Sequence, residues 1–223
     1  MIKIGVFDSG VGGKSVVEAI EVALPDVKVL YAEDKKNVPY GTKTSEELYE
    51  LVLPILNTLS KQGCDVIVIA CNTVTTTIID RLRAILPLPL IGIEPMVKPA
   101  AEMTKTGIIA VCATPTTLGS KRYDWLKATY AKNVQVLEPD CSDWASMIEA
   151  NQLDHEKIQN RVEDVCKKGV DAIVLGCTHY HWIEKDIQKI ANKYGAVVIQ
   201  PEQPVIEELK RVLAQAVPQV ESS

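Results

Sequence analysis

The chain is poor in aromatic residues, with one Phe, three Trp and seven Tyr among 223 residues. Its cores must therefore be built mainly from Val, Ile, Leu and Ala, as in α/β proteins with buried parallel strands. It has no excess of positive charge: the net charge is −5 and the pI is near 5.3. That balance argues against broad binding to nucleic acid or an anionic membrane. No apolar run is long enough to span a bilayer, and the opening stretch from Met1 to Asp8 is too short for a signal peptide. The expectation is a soluble, cytoplasmic protein whose six cysteines are thiols. No C-x-x-C pair is present. Cys177, His179 and His181 lie close in sequence, but the further ligands of a zinc site have no clear spacing, so no metal is expected.

What the chain does have is alternation. Short Val/Ile-rich runs at 2–7, 27–31, 65–70, 89–93, 107–112, 134–138, 171–175 and 197–199 read as strands. Segments of helical period lie between them, about 12–23, 44–61, 73–85, 96–103, 116–130, 142–149, 154–168, 180–193 and 203–215. Such alternation predicts an α/β fold with mainly parallel sheets.

An internal echo divides the chain. Lys61-Gln62-Gly63-Cys64-Asp65-Val66-Ile67-Val68-Ile69-Ala70-Cys71-Asn72-Thr73 matches Lys167-Lys168-Gly169-Val170-Asp171-Ala172-Ile173-Val174-Leu175-Gly176-Cys177-Thr178-His179. A weaker echo links Lys3-Ile4-Gly5 with Lys105-Thr106-Gly107. Two pseudo-symmetric α/β domains of about a hundred residues each explain both. Prolines 87, 89, 95 and 99 mark a crossover, and Pro201 and Pro204 mark a return. The expected division is 1–96 plus 201–223 for the first domain and 97–200 for the second. Shared strand–loop–helix grammar accounts for the repeated Asp and the Val/Ile run. It does not oblige a Cys followed by two polar residues at the same strand end twice.

Cys71 and Cys177 each follow a buried strand and precede a helix. Helix N-terminal amides stabilise a thiolate and bind a carboxylate, and Asn72, Thr73 and Thr178 add side-chain donors and caps. Inverting a stereocentre by proton transfer needs a base on one face and an acid on the other, with exchangeable roles. A thiol of pKa about 8.5 needs only a modest downward shift to serve as both. Two such cysteines facing each other across a cleft suit a racemase acting on an amino acid.

The segment Asp8-Ser9-Gly10-Val11-Gly12-Gly13-Lys14-Ser15 hints at a nucleotide loop and fails both patterns. Asp8 stands where the phosphate-binding loop needs its first Gly, and Ser15 stands where the dinucleotide fingerprint needs its third. It reads as a flexible turn. Asp8 could meet a substrate ammonium or assist Cys71; capping of the next helix by Asp8 or Ser9 is the alternative. Cys64, Cys112 and Cys166 read as small core residues and Cys141 as undecided. His155 reads as solvated, and Trp125, Trp144 and Trp182 as packing residues.

The ordered set Asp8-Ser9-Gly10-Val11-Gly12-Gly13, Tyr31 to Asp34, Pro39-Tyr40-Gly41, Cys71-Asn72-Thr73, Thr114-Pro115-x-Thr117, Glu149 and Gly176-Cys177-Thr178-His179-Tyr180 closely resembles the glutamate racemases of the aspartate/glutamate racemase family. The resemblance spans about residues 3–185. It implies an isomerase: two α/β domains closing over free glutamate, with no pyridoxal phosphate, metal or other cofactor, and a product destined for peptidoglycan and the cell wall. By the same resemblance Cys71 and Cys177 are the acid/bases, with Asp8 supporting the first and His179 and Glu149 the second. Ser9, Pro39, Tyr40, Gly41, Asn72, Thr73, Thr114, Thr117 and Thr178 would form the substrate pocket. The implied partner is a small acidic amino acid, and a homodimer is compatible with the chain's size. His181 stands where the family has Pro, and Gln200-Pro201 where an Asp-Ser pair is usual. These departures keep open an aspartate or broad-specificity racemase, and beyond it a non-catalytic amino-acid-binding module.

Overall fold

The computed structural model describes residues 1–216, so 217–223 of the expected first domain lie outside the described residues. The elements run β1 (Lys3–Asp8), α1 (Lys14–Ala23), β2 (Lys28–Glu33), α2 (Ser45–Lys61), β3 (Val66–Ile69), α3 (Asn72–Arg83) and β4 (Leu90–Gly92). There follow α4 (Val97–Met103), β5 (Ile108–Ala113), α5 (Pro115–Leu118), α6 (Lys121–Tyr130), β6 (Gln135–Leu137), α7 (Trp144–Glu149) and α8 (His155–Lys167). Then come β7 (Ala172–Gly176), α9 (Glu184–Asn192), β8 (Val197–Ile199) and α10 (Glu202–Ala216).

These strands form two four-stranded sheets of the same order, β2-β1-β3-β4 and β6-β5-β7-β8. Every pairing is parallel. Strand order reverses between β1 and β3 in one sheet and between β5 and β7 in the other. Open α/β sheets leave a crevice at the carboxyl end of such a switch point. β3 and β7 are buried along their whole length, so their side chains are apolar on both faces.

The echo has a structural cause in two of its positions. Gly63 and Gly169 end α2 and α8 with φ of +78° and +91°, a left-handed conformation that costs glycine little. The Asp65 carboxylate accepts from the Lys3 amide at 2.8 Å, and Asp171 accepts from Lys105 and Thr106 at 2.7 and 3.0 Å. Each Asp thus pins the start of the neighbouring central strand. The weaker echo is out of register: Ile4 pairs with Val66 and Ile109 with Ala172. The counterpart of Ile4 is therefore Ile109, not Thr106.

Apolar side chains pack on both faces of each sheet. α4 places Val97 and Ala100 against the second sheet. α10 places Val205, Ile206, Leu209 and Leu213 among Ile4 and Val6 of the first sheet and Ile20 of α1. At about 1.5–3 kcal/mol for each buried aliphatic side chain, that contact holds the last helix to the first sheet.

Two expected helices differ in form. The span 116–130 is two helices, because Thr114 caps α5 and Ser120 caps α6 through its hydroxyl, which accepts from the Tyr123 amide at 3.1 Å. Residues Thr178–Ile183 wind as a 3-10 turn before α9 begins. Trp144 is buried against Tyr180 as expected of a packing residue, whereas Trp125 and Trp182 are about half exposed on the outer faces of their segments. Cys64, Cys112, Cys141 and Cys166 are buried in the apolar clusters. Among the described residues, no helix is long and apolar enough to cross a membrane.

Candidate active site

The carboxyl ends of the central strands of the two sheets meet around one cavity of about 410 Å³. The first sheet contributes Ser9 after β1 and Cys71, Asn72 and Thr73 after β3. The second contributes Thr114 after β5 and Cys177, Thr178 and His179 after β7. The Val38–Thr42 segment and the segment Ser142–Ala150, which carries Glu149, supply the side walls. Both cysteines are nearly buried, and both line this cavity.

Among the described residues, each sulfur has one polar side-chain companion. Ser9 Oγ lies 3.4 Å from Cys71 Sγ, and His179 Nδ1 lies 3.7 Å from Cys177 Sγ. The other nitrogen of His179, Nε2, sits 2.6 Å from Glu149 Oε1. With its hydrogen on Nε2 and directed at Glu149, His179 presents the Nδ1 lone pair to the Cys177 thiol. Glu149 also accepts from the Val11 amide of the first unit at 3.2 Å.

The glycine-rich turn after β1 is a docking surface, not a flexible loop. A Cβ on Gly12 would come within 2.5 Å of the Thr178 carbonyl carbon, and one on Gly10 within 2.2 Å of Glu149 Oε1. A Cβ on Gly41 would meet Thr114 at 2.7 Å. These glycines let the two units approach closely enough to share a site. Asp8 works at the same junction. It is fully buried and absent from the cavity lining. Its carboxylate accepts from the Gly13 amide at 2.8 Å and from the Thr178 hydroxyl at 3.1 Å. The residue expected on the Cys71 side thus reaches across to the neighbour of Cys177.

Thr73, Thr114 and Thr117 join their hydroxyls in a triangle of 3.0, 3.0 and 3.3 Å that spans the two units. Thr117 is fully buried behind the wall and does not line the cavity. Tyr40 donates to Asp34 at 2.6 Å, which fixes the Pro39–Gly41 segment. Asn72 is the exception to this economy. It lines the cavity, is 2% exposed, and neither its Nδ2 nor its Oδ1 meets a hydrogen-bond partner among the described residues. An orphaned buried amide costs about 1–3 kcal/mol per group, which a ligand bearing both a donor and an acceptor would recover.

Comparison with known proteins agrees with this geometry. The family model described as Asp/Glu/Hydantoin racemase matches residues 4–209. The chain belongs to that family. A glutamate racemase of Herpetosiphon aurantiacus is 37% identical over 217 residues, covering 96% of this chain and 85% of that protein. The crystal structure of Escherichia coli glutamate racemase, in complex with L-glutamate and the activator UDP-MurNAc-ala, superposes with a TM-score of 0.89 at 28% identity. It covers all of this chain and 86% of that one. The Francisella tularensis glutamate racemase in complex with D-glutamate gives 0.80 at 28% identity, over 96% and 82% of the two chains.

For a racemase-family site the thiol acidities need a correction. The expectation of a modest downward shift is wrong for both cysteines. Burial pushes the Cys71 thiol up to about 11, with the Asp8 charge adding to the rise; Ser9 and the amides of Thr73 and Val74 oppose it. Burial also raises Cys177, reinforced by the Cys71 charge and opposed by the His179 and Tyr180 amides. Desolvation outweighs the helix amides because both sulfurs are enclosed. The second cysteine, moreover, precedes a 3-10 turn and not an α-helix. Asp8 is likewise raised, mainly by burial, with His179 opposing.

Sequence reasoning missed Val38, Thr42, Ser142, Ala145, Ser146 and Ala150 on the cavity walls. No motif marks them, although their nearness to Pro39 and Glu149 could have suggested the neighbourhood. Cys141 is settled as a core residue: burial lifts its thiol well above the ordinary range, and its carbonyl accepts from Tyr180 Oη at 2.8 Å. His155 is exposed beside Asp186. His181 turns away from Cys177 toward Glu202, and among the described residues no group of three or more His, Cys, Asp or Glu side chains could hold a metal ion.

Proposed function

We propose that the chain interconverts L- and D-glutamate by proton transfer at Cα between Cys71 and Cys177, without a cofactor. The observation that carries this reading is the pair of thiols at equivalent switch points of two like sheets, both lining one cavity. One thiolate removes the α-hydrogen and becomes a thiol. The bonding electrons remain on a carbanion-like centre, and the opposite thiol gives its proton to the other face and becomes the thiolate. The roles exchange in the reverse direction.

The Asn72 amide supplies a donor for the α-carboxylate and an acceptor for the ammonium. Thr178, whose hydrogen goes to Asp8, keeps its lone pairs for the ammonium as well. A substrate ammonium beside the sulfurs favours the thiolate and offsets part of the burial penalty. On the Cys177 side, His179 takes the thiol proton while Glu149 steadies the imidazolium. The backbone amides of Tyr40 and Gly41 are offered to the side-chain carboxylate. Enclosure of the site excludes the water that would compete for the carbanion.

The choice of glutamate rests on the named relatives. The resemblance further implies a cytoplasmic enzyme feeding D-glutamate to peptidoglycan, built from domains 1–96 plus 201–223 and 97–200. A homodimer is checked by sedimentation. In deuterated buffer without added cofactor, the product enantiomer should carry deuterium at Cα, with glutamate turned over faster than aspartate. Product that keeps its original hydrogen would end the two-thiol reading, and equal rates on both substrates would end the specificity claim.

A further inference from the structure

The 3-10 turn that follows Cys177 holds one buried polar side chain that the proton transfer leaves unused. The His181 side chain is 7% exposed, and its Nδ1 lies 3.0 Å from Oε1 of Glu202. Glu202 opens α10, the helix whose Val205, Ile206 and Leu209 are buried against Ile4 and Val6 of the first sheet. This contact ties the turn bearing the second cysteine to a helix anchored on the opposite unit.

The turn depends on such ties. A 3-10 helix makes poorer internal hydrogen bonds than an α-helix, so its position is set largely from outside. Tyr180 fastens it to Cys141 within the second unit. Besides the backbone packing on Gly12, two side-chain contacts reach the first unit, Thr178 to Asp8 and His181 to Glu202. His179, which addresses Cys177, lies between them in sequence. With Nδ1 turned to Glu202, Nε2 is left buried without a partner among the described residues. An apolar side chain would spare the fold that unmatched nitrogen, so stability alone does not account for the contact.

We infer that His181, through Glu202, is a positioning residue for the Cys177 half of the reaction: it holds the turn so that His179 stays on the Cys177 sulfur when the units close on substrate. The inference rests on the two-cysteine reading above. His181 is not among the cavity-lining residues, so it acts only through the turn.

The consequence is one-sided, and isotope effects reveal it. Enantiomers have equal free energy, so any variant must have the same kcat/KM in both directions. Raising only the Cys177 barrier enlarges the deuterium isotope effect on kcat/KM for the α-deuterated enantiomer that Cys177 deprotonates. It shrinks the effect for the other enantiomer.

The test compares the parent with His181→Leu, His181→Asn and Glu202→Leu on both α-deuterated glutamates. His181→Leu should lower kcat/KM about tenfold, as a small displacement of a catalytic group does, and move the two isotope effects in opposite directions. Glu202→Leu should reproduce that pattern with every residue of the turn unchanged. His181→Asn, which keeps an N–H near the Nδ1 position, should return to within about threefold of the parent. Parental kinetics in both Leu variants would overturn the inference. So would isotope effects that move together, with a loss of Tm that Asn does not rescue. A parent enzyme that leaves the α-hydrogen unexchanged with solvent would instead overturn the two-cysteine reading, and this inference with it.

Discussion

Gly12→Ala isolates the docking of the two units from everything else in the molecule. The added methyl would lie 2.5 Å from the Thr178 carbonyl carbon and 2.6 Å from the His179 amide nitrogen. Ordinary contact begins near 3.4 Å. Both neighbours are backbone, so they cannot swing aside as a side-chain tip would, and the units must part by roughly 1 Å. That movement stretches the Thr178–Asp8 and Val11–Glu149 bonds, now 3.1 and 3.2 Å, and carries His179 with it. Misplacement of about 1 Å costs on the order of a hundredfold in rate, while overpacking costs about 1–3 kcal/mol in stability. The expected outcome is a kcat/KM for glutamate down by roughly a hundredfold, with the variant still folded because no apolar cluster is touched. Polarimetry gives the rate, and a thermal melt gives the fold. Gly119→Ala is the control: its methyl would meet only the Pro115 carbonyl oxygen, at 3.3 Å, within the same unit. A Gly12→Ala enzyme within about threefold of the parent would refute the docking role and the argument from close approach.

Asn72→Leu should raise Tm and raise KM together, because it removes an orphaned amide worth about 1–3 kcal/mol per group that only a ligand satisfies; a lower Tm with unchanged KM would reverse the assignment. The Cys71 thiol is neutral in the folded state up to about 11 and ionises nearer 9 when unfolded. The folded chain thus holds the extra proton between those values, and its contribution to stability falls as pH rises through that window. Cys71→Ala should flatten that alkaline loss by roughly 2–3 kcal/mol in denaturant titrations, and identical alkaline profiles would count against the buried thiol. Glu149→Gln should lower kcat by about ten- to a hundredfold with little change in KM, since it weakens the imidazolium without touching substrate; an effect confined to KM would place Glu149 on the substrate instead.

The sequence carried the fold because strand and helix periods were clean and because Gly63, Asp65, Gly169 and Asp171 repeat for backbone reasons that any such unit shares. It carried the two cysteines because nothing in that backbone grammar requires them. The glycine-rich turn was misjudged: glycines serve flexibility, phosphate binding or close approach alike, and only the partner surface around Thr178 and Glu149 decides which. The thiol acidities were misjudged because local sequence displays the helix amides and hides the desolvation that the second unit brings. Ser142 and Ser146 were invisible, because only the fold brings their segment to the cavity that Val38–Thr42 also lines. Trp125 and Trp182 read as packing residues from their helical setting, yet both are about half exposed, because periodicity alone does not say which side of a segment meets the core.

The most direct measurement uses α-hydrogen exchange in deuterated buffer with Cys71→Ala and Cys177→Ala, each offered L- and D-glutamate separately. A single remaining thiol can remove and return a proton on its own face only. Each variant should therefore take up deuterium without inversion in one enantiomer, and the two variants should select opposite enantiomers. Exchange of the same enantiomer by both variants, or racemisation by either at close to the parent rate, would contradict the pairing of the two cysteines.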